Sequence, residues 1–211
     1  MVDGNQDVEQ LLSMLSQKRP DLVEFRFDNL TNVTKLDEIA HKKTFQAIAS
    51  DRSNRDAAMT RKLLMTAAAS GFEFVDLDIA SPLAGSDIQQ LKSTGSDLIR
   101  SFHDFSKTPS PKQLAELLGS QINAGGDVCK VVTTAVTPGD NLSILRFVEE
   151  NSKKTRLVSF AMGRHGIPSR VLSPLFGAEF TFASLTESSK TADGQLTIDS
   201  LRSVWQLLGI H

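Results

Sequence analysis

Short stretches rich in apolar, β-branched and aromatic residues recur along the chain at similar intervals. This composition is typical of β-strands. Between the stretches, apolar residues recur with the period of a helix. Strands that alternate with helices predict parallel βαβ units. The seven predicted strands cover residues 22–28, 45–51, 72–78, 97–103, 127–134, 156–162 and 178–185.

The segments between the predicted strands carry helix start and stop signals. Ser110 and Pro111 open residues 110–126 as an N-cap and a first-turn proline, and two glycines close them. A further helical pattern, roughly residues 6–17, precedes the first predicted strand. We therefore predict seven strands and eight helices, one strand fewer than a closed TIM-type (β/α)8 barrel. The alternative, a doubly wound sheet, usually has a glycine-rich phosphate loop after its first strand, and here that sequence is NLTNVT.

Polar residues of the predicted strands share one parity. Glu24 and Arg26 alternate with apolar neighbours, and Asp76 and Asp78 do the same two strands later. In an antiparallel sheet such residues would face water. Parallel strands that are covered by helices must instead point them into a barrel interior. Ionisable side chains gathered there indicate a functional site, and the set comprises Glu24, Arg26, Arg52, Asp78, His103 and Lys130.

Lys130 stands inside the β-branched run of residues 127–134. Because burying an ammonium without a partner is costly, this lysine either reaches water or reacts. Low dielectric and cationic neighbours such as Arg26 or Arg170 favour the neutral amine, which attacks carbonyls and forms imines. His103, one strand earlier, is suited to act as a general base and later as a general acid, because the pKa of a histidine lies near neutral. Asp78 is a carboxylate that could orient the His103 imidazole. A single lysine or histidine on a strand is more often structural, so the inference depends on their joint placement.

Composition and charge narrow the class of protein. The 211 residues contain no low-complexity linker or charge run, so we predict one domain over residues 1–211. A formal net charge of -2 argues against a general nucleic-acid or membrane binder, and we expect a small-molecule partner. The single cysteine, Cys129, suits a reducing cytoplasm, and no apolar run is long enough to span a bilayer. No His, Asp or Glu cluster has metal-ligand spacing, so we expect no metal.

Six motifs resemble those of one enzyme family, the type I 3-dehydroquinate dehydratases of the shikimate pathway. They occur in the order of that family over nearly the whole chain, and the SFHDFSKTPS and AMGRHGIPSR segments are the most specific. The motifs are EFRFD from Glu24, FVDLD from Phe74, SFHDFSKTPS from Ser101, GGDVCKV from Gly125, AMGRHGIPSR from Ala161 and DGQ from Asp193.

The resemblance implies a (β/α)8 barrel, usually a homodimer, that needs no metal or cofactor. It implies a lyase of the hydro-lyase class, which removes water from 3-dehydroquinate in syn fashion to give 3-dehydroshikimate. The reaction passes through a Schiff base and belongs to the biosynthesis of chorismate and the aromatic amino acids.

The resemblance also implies roles for individual residues. Lys130 matches the imine-forming lysine, and His103 matches the histidine that moves protons at C2 and assists loss of the C1 hydroxyl. Arg170 matches the arginine that binds the substrate carboxylate, a two-pronged task suited to guanidinium. The other matching positions are Glu24, Arg26 and Arg52 at the remaining hydroxyls, Met162 against the ring, and Gln195 and Thr191 near the carboxylate.

The chain departs from the family pattern in three places. The first strand of the family has no counterpart before Gln6, so we expect a missing or shortened first strand and a barrel of seven strands or with an open edge. Asp78 stands where the family usually has glutamate, which shortens the carboxylate that orients His103. The segment TESSKTADGQ is two residues longer than the pattern compared, so Thr191 matches only by counting back from Gln195.

Two alternatives remain from the sequence. One is another imine-forming lyase of the class I aldolase type. The other is a non-catalytic paralogue that binds a shikimate-like ligand, which the departures at the first strand and at Asp78 suggest. Arg170, Gln195 and the SFHDF motif favour the dehydratase.

Overall fold

The computed structural model describes residues 2–3, 8–28, 34–53, 56–81, 83 and 85–210. Contacts within the chain divide it into two compact units, residues 1–99 and 100–211, and strand β5 crosses this boundary. The first unit contains β1 (Val2–Asp3), α1 (Val8–Lys18), β2 (Leu22–Arg26), α2 (Thr34–Lys42), β3 (Gln46–Ser50), α3 (Ala57–Ala69), β4 (Phe74–Asp78) and α4 (Gly85–Ser93). From β5 (Asp97–His103) the chain continues through α5 (Pro111–Asn123), β6 (Val128–Thr134), α6 (Asp140–Asn151), β7 (Arg156–Met162), α7 (Ile167–Leu172) and α8 (Ile198–Leu207), with short 3-10 helices at Arg164–Gly166, Ser173–Phe176 and Glu187–Ser189.

The first unit is built on parallel strands that pair in chain order, β1 with β2, β2 with β3 and β3 with β4. Phe25 and Phe27 are completely buried, and both rings meet the edge of Phe72, with centroids 5.6 and 6.0 Å apart. Because successive side chains of a strand point to opposite faces, this aromatic packing leaves Glu24 and Arg26 on the other face, as the parity predicted.

The second unit is built around β6 and β7, which pair in parallel over seven residues, with Lys130 opposite Val158. The faces of these strands that pack on helices are buried, and Cys129 is fully buried among them. Burial raises the pKa of the Cys129 thiol, against a weaker lowering by the Thr155 hydroxyl. The main core residues include Leu114, Leu118, Val131, Ile144, Phe147, Val148 and Leu157.

Helix α5 begins at the residues that the sequence indicated. The Ser110 hydroxyl accepts a hydrogen bond from the Gln113 N–H, while the Gln113 side chain accepts one from the Ser110 N–H. Pro111 occupies the first turn, where its missing N–H costs nothing. This reciprocal capping box satisfies two backbone donors, and the predicted start is confirmed.

Both ends of the predicted strand series differ from the prediction. A short β1 is present, with Val2 paired to Phe25 and Asp3 to Arg26, so the first strand is shortened rather than missing. Residues 178–185, all of which the structure describes, form no regular strand, and that prediction was wrong. The Glu179 N–H still donates to Leu157 O, but the Phe182 carbonyl accepts the Arg170 guanidinium, so Arg170 takes up a backbone acceptor that a strand ladder would use.

Eight α-helices occur among the described residues, as predicted. Within the same residues, no helix combines the length and the apolar character needed to cross a membrane. The prediction that residues 1–211 form a single domain stays a prediction.

Candidate active site

In the first unit, Arg52 lies at the centre of an acidic cluster just beyond the end of β3. Its guanidinium donates to Asp76 at 2.6 Å and to Asp78 at 3.2 Å. The Asp76 carboxylate is fully buried, whereas more than a third of the Asp78 side chain is exposed. Burial lowers the pKa of Arg52, but the charges of Asp76, Glu24 and Asp78 outweigh it and hold that pKa above its usual value. Arg52 is therefore charged, and it joins three of the strands.

Arg26 and Asp28 form an adjoining ion pair at the end of β2. The Asp28 carboxylate also accepts the backbone N–H of Arg52 at 2.8 Å. Burial works to raise the pKa of Asp28, but the hydrogen bonds from Arg26 and from the Arg52 N–H outweigh it and hold the pKa below its usual value. These contacts gather Glu24, Arg26, Arg52 and Asp78, four of the predicted site residues, in one cluster.

In the second unit, Lys130 points from β6 toward an aromatic side chain. Only 4% of the residue is exposed, and its Nζ lies 4.4 Å from the centroid of the Phe182 ring. The backbone of Lys130 is fixed from behind, because the buried Gln121 amide donates to its carbonyl oxygen at 2.8 Å. The lysine is thus buried as the sequence indicated, with the face of an aromatic ring against its charge.

Arg170, on α7, approaches the same phenylalanine. Its guanidinium carbon lies 4.2 Å from the centroid of the Phe160 ring, and its Nη1 donates to Phe182 O at 3.3 Å. The residue is 2% exposed, and among the described residues its Nε and Nη2 atoms find no hydrogen-bond acceptor. Burial lowers the pKa of Arg170 to about 10. This lowering corresponds to about 3 kcal/mol of cost to the charged form.

A buried guanidinium with two unused N–H groups is suited to a planar anion. Carboxylates accept two parallel hydrogen bonds from arginine, and such a pair offsets the cost of burying the charge. The geometry of Arg170 therefore fits the carboxylate-binding role that the sequence predicted.

His103 ends β5, and Met162 ends β7. The imidazole lies nearly parallel to the ring of Phe105, with centroids 6.0 Å apart and planes at 14°. The next residue, Asp104, donates its N–H to Val132 O, so His103 lies beside the stretch of β6 that follows Lys130. The predicted contact between His103 and Asp78, which belong to different units, stays a prediction.

Gln195 lies in a loop that packs closely against the residue that follows β7, and this packing requires glycine. The backbone N–H and the hydroxyl of Thr191 donate to Gln195 Oε1 at 2.9 and 3.3 Å, so the structure brings these two predicted residues together. Gly194 has φ of +74°, and a Cβ built on it would come within 2.3 Å of Gly163 O. The Gly163 N–H in turn donates to Asp193 O. Only glycine fits this close contact between the DGQ and MGRHG motifs.

Sequence reasoning missed two residues that contact the predicted site residues. Phe182 contacts both Lys130 and Arg170, but the alternating pattern of residues 178–185 indicated only a strand. Asp76 pairs with Arg52 at 2.6 Å, closer than Asp78 at 3.2 Å. Its place on the polar face of the strand was the only sequence signal that could have identified it. No group of three or more His, Cys, Asp or Glu side chains suited to a metal occurs in the part of the chain that the structure describes.

A family model described as type I 3-dehydroquinase matches residues 1–211. The chain belongs to the type I 3-dehydroquinase family. Members of this family form a Schiff base with their substrate, and the family prediction made from the motifs is confirmed.

Curated relatives of this chain are named 3-dehydroquinate dehydratase. The 3-dehydroquinate dehydratase of Dehalococcoides mccartyi is 38% identical over 144 residues, which cover 68% of this chain and 64%, less than two thirds, of the relative. That of Methanosarcina acetivorans is 31% identical over an alignment of 215 positions, covering 92% of this chain and 87% of the relative. The predicted enzyme, a 3-dehydroquinate dehydratase, agrees with these names.

A crystal structure of 3-dehydroquinate dehydratase from Geobacillus kaustophilus has the same fold. The TM-score is 0.85 at 24% identity, and the match covers 97% of this chain and 88% of the other. This likeness confirms the predicted fold class, the α/β fold of the TIM-type (β/α) barrels.

Proposed function

We propose that this chain dehydrates 3-dehydroquinate to 3-dehydroshikimate through an imine on Lys130. The observation that carries the proposal is the meeting of two buried basic side chains at Phe182. Lys130 faces the ring of this residue, and Arg170 donates to its backbone oxygen. An amine that attacks a ketone and a guanidinium that binds a carboxylate thus lie at one residue, and 3-dehydroquinate carries both groups.

The first step joins the enzyme to the substrate. Neutral Lys130 attacks the ketone at C3, and water leaves as the protonated imine forms. The positive nitrogen withdraws electrons and acidifies the proton at C2. Phe182 presents the negative face of its ring to this nitrogen, which favours the cationic imine over a neutral one.

The second step removes water. His103 takes the proton from C2, and the electron pair moves toward the imine nitrogen to give an enamine. The pair then returns and expels the C1 hydroxyl on the same face, with a proton that His103 supplies. Water hydrolyses the product imine, which releases 3-dehydroshikimate and restores Lys130. Asp78 orients His103 in this scheme.

The remaining predicted residues bind the substrate. Arg170 takes the carboxylate through Nε and Nη2, assisted by Gln195 and Thr191. Met162, which is 9% exposed at the end of β7, packs on the ring. Glu24, Arg26 and Arg52 take the other hydroxyls, and the fixed charge of Arg52 supports this role. The reaction is inferred from the family resemblance to need no metal or cofactor.

Reduction with borohydride in the presence of 3-dehydroquinate tests the proposal. We expect intact-mass spectrometry to detect an adduct, peptide mapping to place it on Lys130, and 3-dehydroshikimate to form when borohydride is omitted. The matched control is Lys112→Met, because this lysine side chain is 86% exposed on α5, and it should leave adduct and turnover unchanged.

Two other results would contradict the proposal in different ways. Binding of 3-dehydroquinate with neither adduct nor product supports the non-catalytic paralogue. An adduct on Lys130 with another keto acid, followed by cleavage of a carbon–carbon bond, supports the aldolase alternative.

We also infer a cytoplasmic homodimer in which residues 1–211 act as one catalytic domain. A single free, buried cysteine suits a reducing compartment. Exposed apolar side chains of the second unit, among them Leu142, Leu175 and Leu207, are available for a subunit interface. Light scattering should give twice the mass of the chain, and calorimetry should give one unfolding transition that substrate shifts as a whole.

A further inference from the structure

Helix α7 carries Arg170 but is only six residues long, Ile167–Leu172. Helices of this length are not stable by themselves in water. Gly166 precedes the helix and offers no side chain to cap it. The N–H groups of the first turn have no partner within a helix, so they need acceptors from elsewhere. The direction of the Arg170 side chain therefore depends on what anchors this helix from outside.

Asn141, on α6, supplies the missing cap. Its Oδ1 accepts the backbone N–H of Ser169, immediately before Arg170, at 2.9 Å. Its Nδ2 donates to His165 O at 2.6 Å and to Pro138 O at 2.9 Å. The residue is 4% exposed, so water does not compete for these bonds. One buried amide thus holds the turn before α7 and the first turn of α7 to the start of α6.

The Ser169 side chain continues this anchor to β7. Its hydroxyl accepts the Ala161 N–H at 3.0 Å and donates to Gly166 O at 2.9 Å. Further along the helix, the Thr181 hydroxyl donates to Arg170 O at 2.8 Å and the Trp205 indole donates to Val171 O at 2.9 Å. Three consecutive residues of α7 are therefore fixed by hydrogen bonds with side chains outside the helix, and the bond from Asn141 is the one at the N-terminal side of Arg170.

We propose that Asn141 is a positioning residue for Arg170, through which it sets the affinity for the substrate carboxylate. The inference rests on the proposed function. The buried Nε and Nη2 of Arg170 are useful only if they meet both oxygens of a carboxylate, and a small rotation of α7 moves both at once. The Asn141 side chain bonds to the backbone of Pro138, His165 and Ser169, so we expect it to act on binding through the position of α7 and to leave the chemistry at Lys130 alone.

A double-mutant cycle between Asn141 and Arg170 tests the proposal. We expect Asn141→Ala to raise KM about tenfold with a much smaller change in kcat, since misplacement by a fraction of an ångström weakens a two-pronged contact. In an Arg170→Lys background the same substitution should change KM less than about twofold, because a lysine is a compact charge on a flexible stem and is insensitive to the exact aim of the helix.

The matched control is Asn151→Ala, at the other end of the same helix. Asn151 also donates from its side chain to a backbone carbonyl, that of Phe147, but it makes no contact with α7 among the bonds described. It should leave KM and kcat unchanged. An equal increase of KM in both Arg170 backgrounds, or an unchanged KM in Asn141→Ala, would overturn the proposal, because a merely structural asparagine acts independently of Arg170.

Asn141→Ser serves if the alanine variant does not fold. Its hydroxyl keeps a donor and an acceptor at the site but cannot replace all three bonds of the amide, so it should give the same selective increase of KM at smaller size. An inactive wild-type chain would contradict the proposed function rather than this inference. The cycle is then measured by calorimetry as the dissociation constant for 3-dehydroquinate, with the same expected pattern and the same overturning result.

Discussion

The Nζ of Lys130 lies 4.4 Å from the centroid of the Phe182 ring. An aromatic face stabilises a nearby cation by about 0.5 to 2 kcal/mol. The neutral amine that attacks the carbonyl gains nothing from this contact, whereas the protonated imine that it forms is stabilised. The ring therefore favours the covalent intermediate over the reactive amine.

Removing the ring should lower the amount of imine. We expect Phe182→Leu to reduce the borohydride-trapped adduct at subsaturating substrate by about twofold to thirtyfold, the range that corresponds to a cation–π contact. The backbone bond from Arg170 to Phe182 O does not involve the ring, so carboxylate binding should persist. Phe176→Leu, at an exposed phenylalanine of the same unit, is the control and should leave trapping unchanged. Equal losses in both variants would mean that the ring serves packing alone.

Lys130→Met should separate catalysis from stability. Methionine has a similar volume and no charge to bury, so the variant should unfold at the same or a higher temperature than wild type while losing all turnover. Thermal denaturation and an activity assay on the same preparation check this. A melting temperature lower by many degrees would instead identify Lys130 as a structural ion-pair partner.

Arg170→Met should stabilise the chain at neutral pH and abolish stabilisation by 3-dehydroquinate. Burial lowers the pKa of Arg170 to about 10, well below its value in the unfolded chain. Between these values the unfolded chain binds more protons, so this residue makes stability rise with pH there, and below about pH 10 its full cost is present. Melting curves of both proteins from neutral pH to about pH 11 check this.

The difference between the two proteins should therefore be largest below about pH 10 and shrink above it. A difference that stays constant across this window would mean that the cost of burying Arg170 is already offset within the folded chain. Adding substrate at neutral pH should raise the melting temperature of wild type only.

Asp76→Asn should mainly lower stability, whereas Asp78→Asn should mainly lower activity. Asp76 is fully buried against Arg52, and breaking such a pair costs about 3 to 5 kcal/mol of unfolding free energy. Asp78 is partly exposed, so its substitution should cost less than about 1 kcal/mol. If Asp78 orients His103 as proposed, its variant should nevertheless lose most of kcat. Denaturant titration and steady-state kinetics compare the two, and an active Asp78→Asn would remove this residue from the mechanism.

Gly194→Ala should raise KM, whereas Gly209→Ala should not. Both glycines have positive φ, +74° and +69°, so alanine strains both backbones by about 1 kcal/mol. At Gly194 the added Cβ also collides with Gly163 O, which displaces the loop that holds Gln195, while nothing lies within 4 Å at Gly209. Steady-state kinetics of the two variants separate the effect of the collision from that of backbone strain, which both share. Equal KM values would show that the position of the Gln195 loop does not affect binding.

The sequence predicted the interior strands because their pattern has a simple cause. Parallel strands buried by helices keep apolar residues on one face, and the parity of Val23, Phe25 and Phe27 fixed the opposite face as polar. That reasoning located the cluster around Arg52 without any knowledge of contacts. It failed at Val2–Asp3, because two residues are too few to display a period.

The same reasoning failed at residues 178–185 for a different reason. Thr181 and Phe182 bond to Arg170, a residue of α7, so tertiary contacts decide the conformation of this segment and override its strand-like pattern. The contact of Phe182 with Lys130 could not be predicted, since it joins residues 52 positions apart through a segment with no regular structure. The anchor at Asn141 was likewise hidden, because asparagine near a helix start usually indicates only local capping.

Cys129 immediately precedes Lys130, is fully buried, and has a raised thiol pKa. A thiol reagent reaches it only at moments when β6 separates from its surroundings, and the chain has no other cysteine to obscure the signal. The rate of Cys129 alkylation therefore measures how often the strand that bears the reactive amine opens. A substrate bound covalently to the next residue should lower this rate, so the buried thiol reports whether Lys130 carries substrate.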